Sequence, residues 1–186
     1  MEIIKKFIDK AYNPKNLLTT NTLTICGIYG IADIIAQLTD KNGIDFKRIV
    51  RVSSIGLLHG PMNHFWYKWL DRRLIISTIK PLPKVLIKKV AIDLSVSPVF
   101  TVTFIGGIAI LEGHSIQKAL NEYKNNFFKV LRLDLCVWPP SQLINFWFVP
   151  PRFRVLYVSM VILVYTCFLT IIRHSNISNE LQKDKI

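Results

Sequence analysis

Five mostly apolar stretches, each close to the length of a bilayer span, limit this chain more than any other feature. They run from about residue 17 to 38, 49 to 70, 90 to 111, 127 to 149 and 153 to 172. A helix rising 1.5 Å per residue needs around 20 residues to cross a hydrocarbon core of roughly 30 Å. The pattern predicts an all-α integral membrane protein, a compact bundle of four to five kinked transmembrane helices. Gly60-Pro61, Pro98 and Pro139-Pro140 fall inside the stretches and are the expected kinks. The fourth stretch is less apolar and is broken by Pro139-Pro140, so whether it crosses completely separates four spans from five. Helix-breaking prolines are tolerated in a membrane where neighbours satisfy the freed carbonyls, which places that segment inside the protein.

Charge and apolarity together exclude the common soluble classes. Apolar residues make up 51% of 186, yet the net charge is +12, with the basic residues sitting between the apolar stretches. They form no dense tract, so direct nucleic-acid binding is not the expected role. Counted over alternating loops, Lys and Arg number twelve on one face and eleven on the other, so the positive-inside rule gives no orientation. Cys26, Cys136 and Cys167 are odd in number and widely spaced, which argues against zinc or a disulfide framework. The first residues read as neither a secretory signal nor an arginine-rich presequence. Instead Ile3, Ile4, Phe7, Ile8 and Ala11 share one helical face opposite Lys5, Lys6, Asp9 and Lys10, the pattern of an interfacial amphipathic helix. Residues 1–172 form one domain on this reading, and 173–186 a polar tail.

Alternating spans bring distant residues to the same depth. One face collects His64, Trp66, Tyr67, Asp71, Asp93, Gln142, Asn145, Arg152 and Arg154; the other collects Asp33, Gln37, Arg51, Arg132 and Asp134. An ionised carboxylate in a span costs on the order of 3 kcal/mol at mid-membrane, less near an interface, and calls for a cation within reach. Asp93 is expected to pair with Arg152, Arg154 or Arg72, and Asp33 with Arg51 or Arg132. His64, Asp93, Gln142, Asn145, Arg154, Asp33 and Gln37 are the candidate polar network or pore lining. Such residues either lock helices together or line a path. Trp66, Tyr67, Trp69 and Trp138 read as interfacial anchors. His59 and His64, about 140° apart on a helix, do not share a face for metal chelation. No phosphate loop, HExxH or Ser/His/Asp spacing appears, so neither an enzyme nor a cofactor is expected.

Several blocks resemble a known family. Gly60-Pro61-Met62-Asn63-His64-Phe65-Trp66-Tyr67 is similar to the GPxxHxWY signature of the Mpv17/PMP22 family of small mitochondrial and peroxisomal membrane proteins. Trp138-Pro139 with Gln142, Asn145-Phe146, Val149-Pro150 and Arg154 resembles its WPxxQxxNFxxVPxxxR motif. Lys89, Asp93 and Pro98 resemble its K-x-x-x-D-x-x-x-x-P block, and Ala32-Asp33 with Gln37 its GDxxxQ, with alanine in place of glycine. The string Cys136-Val137-Trp138-Pro139 and Phe153-Arg154-Val155 looks most like the branch called Mpv17-like protein 2. The resemblance implies the mitochondrial inner membrane, with the peroxisomal membrane as the alternative. It implies a small-solute channel or membrane-homeostasis role, or alternatively a membrane scaffold for mitochondrial ribosome assembly. Anionic lipids, a second copy of the chain and mitochondrial ribosome or assembly factors are the partners these readings imply.

Overall fold

The structure is a computed structural model that describes residues 2–39, 43–74 and 83–165. The polar tail at 173–186, the end of the last apolar stretch and Cys167 lie outside the described residues. Every regular element among the described residues is helical. In chain order these are α1 (Glu2–Ala11), α2 (Leu17–Thr39), α3 (Phe46–Arg73), α4 (Pro83–Leu111) and α5 (Ile116–Phe148). A 3-10 turn (Pro151–Phe153) follows, then helix over 154–165. Of these, α2 and α4 are long and apolar enough by themselves to cross a membrane.

Helices α3 and α5 are also long enough, at 28 and 33 residues, but carry charged residues that a span must satisfy. Pro61, Pro98 and Pro139-Pro140 all lie inside helices, and the backbone stays helical through each. The break expected at Pro139-Pro140 is therefore absent. Neighbouring elements flank this stretch on one side, where Trp138 touches Tyr165 and Gln142 bonds to Tyr67, while Pro140 itself is exposed.

Helix α1 behaves as its periodicity predicts. Ile3, Ile4 and Phe7 are each at least 65% exposed, an apolar face with nothing packed on it. Tyr12, just past its end, lies 4.7 Å from the ring of Phe153, which ties the helix to the turn before residue 154.

The closest packing is between α2 and α3, and glycine permits it. A Cβ on Gly60 would lie 2.4 Å from the Cα of Thr22, and one on Gly56 would lie 2.6 Å from the Cα of Cys26. One turn further, a Cβ on Gly30 would meet the Ser53 hydroxyl at 2.6 Å. The paired positions 22/60, 26/56 and 30/53 run in opposite directions, so the helices are antiparallel. Gly56 and Gly60, a small-xxx-small pair on α3, thus meet Cys26 and Thr22, while Ala32 and Ala36 of α2 face the bundle interior. Around this seam pack Ile25, Tyr29, Val52, Ile55, Tyr67 and Leu70, joined by Leu86, Val90, Phe146, Val155 and Val158. Gly60→Ala is expected to cost about 1–3 kcal/mol, because the added methyl meets backbone that cannot move aside. Gly27→Ala, with open space around it, is expected to be neutral or stabilising; thermal unfolding in detergent compares the two.

Candidate functional site

Helix α3 carries the polar side chains around which the site is built. Positions 59, 63, 66 and 67 recur at helical spacing and aim one stripe at the bundle interior. Near the α3 C-terminus, the Gln142 amide donates to the Tyr67 hydroxyl at 2.9 Å, and the Asn145 amide donates to Gln142 Oε1 at 2.9 Å. The Trp66 indole N–H donates to Asp93 Oδ1 at 2.6 Å. On the opposite side of α3, the Asn21 amide donates to His64 Nδ1 at 3.1 Å. Asp71 accepts from both Lys89 Nζ and Arg154 Nη1, and both cations also lie against the Phe146 ring.

This arrangement corrects the expected partner of Asp93. Arg154 goes to Asp71, Arg152 sits 3.9 Å from Asp9, and Asp93 is held by a neutral indole. Lys89 explains the difference. It lies one turn before Asp93 on α4, is buried, and together with Arg154 neutralises Asp71 at the level an arginine would need to reach Asp93.

The opposite end of the bundle has its own cluster. Asp33 pairs with Arg48 at 3.0 Å, not with Arg51 or Arg132. The antiparallel register sets this choice, since it brings the start of α3 beside the end of α2. Gln37 clamps the connection: its amide donates to Asp33 Oδ2 at 2.7 Å, and its Oε1 accepts the Asp45 backbone N–H at 2.5 Å. Arg51 instead lies 3.8 Å from Glu112 at the end of α4, and Arg132 is exposed.

Between the two clusters lies a cavity of about 770 Å³. Of the residues singled out from sequence, Asp33, Asp93, Gln142, Trp66, Tyr67 and Trp138 line it. His64, Asn145, Arg154 and Gln37 stand behind the lining, held in the contacts above, and Trp69 faces outward. Trp66 and Trp138 bond to carboxylates, Asp93 and Asp134, so they also serve as polar supports within the bundle. The sequence reading weighed His59 only as a metal ligand and so missed it. It lines the cavity, with Nδ1 2.6 Å from the Tyr29 hydroxyl and Nε2 2.9 Å from the Thr103 hydroxyl. Its i, i+4 spacing to Asn63 was the signal that would have found it. Among the described residues, four carboxylates, Asp33, Asp93, Glu112 and Asp134, face the cavity against one guanidinium, Arg48. In a chain of net charge +12, the interior is acidic.

Asp71 serves two buried cations, so its removal leaves both without a counter-charge. Asp71→Asn is expected to destabilise by about 3–5 kcal/mol, while Lys89→Met, which keeps the Asp71–Arg154 pair, costs clearly less. Thermal unfolding of the two variants in detergent checks the order.

A model of the Mpv17 / PMP22 family matches residues 109–170. PXMP2/4 family protein 2 of Dictyostelium discoideum is 32% identical over 163 residues, covering 82% of each chain. Protein SYM1 of Kluyveromyces lactis is 31% identical, covering 81% of this chain and 80% of its own. Mitochondrial inner membrane protein Mpv17 of Drosophila melanogaster is 27% identical, covering 82% of this chain and 94% of its own. No solved structure matches. The relatives named for the mitochondrial inner membrane place the chain in that membrane. With identity above 30% across four fifths of the aligned chains, this protein belongs to the Mpv17 / PMP22 family.

Proposed function

We propose that the chain forms a passage for small solutes across the mitochondrial inner membrane, acting without catalysis. One observation carries this reading: the cavity, largely apolar in its walls but set with four carboxylates and a guanidinium, extends along the bundle rather than forming an isolated pocket. Its lining runs from Arg48 to Tyr67 on α3 and from Asp93 to Glu112 on α4. At 1.5 Å per residue each run covers about 28 Å, close to the roughly 30 Å of a hydrocarbon core. The volume also falls in the range of pockets that hold small molecules, about 300–1,000 Å³. Ionisable groups facing a membrane interior are costly unless they are paired or face a water-filled path.

Conductance in a planar bilayer tests the reading, wild type beside Asp93→Asn. Discrete openings are expected, and the variant's reversal potential in a salt gradient should move towards anions, because one cavity carboxylate is gone. A silent bilayer with wild-type circular dichroism would remove the passage and favour the alternative, a membrane scaffold for mitochondrial ribosome assembly.

The same reading takes five crossings, α2 to α5 and the helix beginning at 154. The unbroken α5 and the Arg51–Glu112 contact between the α3 start and the α4 end support it. With native cysteines replaced, Ile44→Cys and His114→Cys should react with an impermeant maleimide from one side of the membrane and Lys84→Cys from the other. Labelling of positions 84 and 114 from the same side would rule out five crossings.

A further inference from the structure

Outside the bundle, α3 and α4 leave a second concavity, with no charged residue in its lining. It is a groove of about 440 Å³, nearly all apolar, formed on α3 by Met62, Phe65, Trp66 and Trp69 and on α4 by Val96, Val99 and Phe100. The α3 residues are spaced i, i+3, i+4, i+7, a single face. The stacked rings of Trp66 and Trp69, centroids 5.3 Å apart, form part of its wall. Trp66 cannot swing away freely, since its indole N–H is held by Asp93. The groove therefore has a fixed wall rather than a mobile one.

The same face of α3 changes character one turn on. Arg72 and Arg73 stand three and four residues past Trp69, both exposed, and neither pairs with a carboxylate among the described residues. On α4, Lys88 lies eleven residues before Val99, close to three full turns, so it shares that face and points to the same end. It too is exposed and unpaired among the described residues. The Lys89–Asp71 and Trp66–Asp93 contacts hold the α3 end beside the α4 start, so these cations collect at one mouth of the groove.

We infer that this groove is a binding site for an anionic phospholipid, its acyl chain lying along Met62 to Trp69 and its phosphate held by Arg72, Arg73 and Lys88. An apolar slot ending in cations matches a molecule that joins a hydrocarbon tail to an anionic head. Aromatic rings at headgroup depth and basic residues beside them are the recognised elements of such sites. A zwitterionic lipid would fill the slot equally well but would carry no net charge for the cations. The site is thus selective through its mouth and not through its slot.

Tryptophan quenching by brominated acyl chains reads contact with the slot directly. The protein is reconstituted in vesicles of phosphatidylcholine and phosphatidylglycerol, with bromine on the chains of one lipid or of the other. Quenching is expected to be stronger when phosphatidylglycerol carries the bromine, and the excess should shrink in Trp69→Phe, where Trp66 is the one groove tryptophan left. In the double variant Arg72→Gln/Arg73→Gln the preference should fall, by about fivefold in relative affinity for each arginine removed. It should persist in Lys118→Gln/Lys124→Gln, where exposed cations are removed from elsewhere on the surface. Raising the salt should weaken the wild-type preference, which gives a second reading on unmutated protein. Equal quenching by both lipids, a preference kept without the two arginines, or an equal loss in the control pair would overturn the site.

Discussion

Asp71 supplies the negative charge shared by two buried cations that come from different parts of the chain. Lys89 arrives from α4, and Arg154 from the helix that follows the 3-10 turn. Two buried cations need a shared counter-charge, so this three-way contact sets which helices may approach and at what register. With Lys89 placed against Asp71, Asp93 one turn along must face α3, where it meets the Trp66 indole. Once Arg154 is held there too, Phe146 lies under both cations, and Gln142 and Asn145 line up with Tyr67. The other polar contacts at this end follow from that one.

The far end of the bundle is organised by the antiparallel seam of α2 and α3. Glycines at 56 and 60 let the two backbones approach closely, and that approach brings Arg48 to Asp33. One end is thus locked by charge and the other by close packing followed by charge. Between them the polar stripe of α3 is left facing space, which becomes the cavity. Trp66 stands at the boundary, bonding to a carboxylate on the cavity side and stacking on Trp69 on the lipid side. Whatever occupies the outer groove therefore bears on a residue that also lines the inner one.

Much of this was written in the local pattern. The spacing of apolar stretches determined an all-helical membrane protein, because only a helix satisfies its own backbone across a hydrocarbon core. The face of α1 was legible in Ile3, Ile4, Phe7 and Ile8, since amphipathicity is a property of one helix alone. Motif residues such as Trp66, Asp93, Gln142 and Asn145 could be placed at a common depth by alternating the spans. Depth along an axis is a one-dimensional quantity, and counting residues supplies it.

What counting cannot supply is rotation about that axis, and the tertiary structure decided everything that depends on it. Sequence placed an arginine within reach of Asp93, but packing turned Arg154 towards Asp71 and gave Asp93 an indole. It offered Arg51 and Arg132 to Asp33, and the seam of α2 and α3 chose Arg48. It expected Pro139-Pro140 to break a helix, yet α5 runs continuously through both prolines. It left His59 unremarked as a lining residue, because a lone histidine on one helix says nothing of the tyrosine and threonine that two others will bring to it. The helical type of the elements was a local matter; partner choice was a contest among groups of equal reach, settled by which helix faces came together.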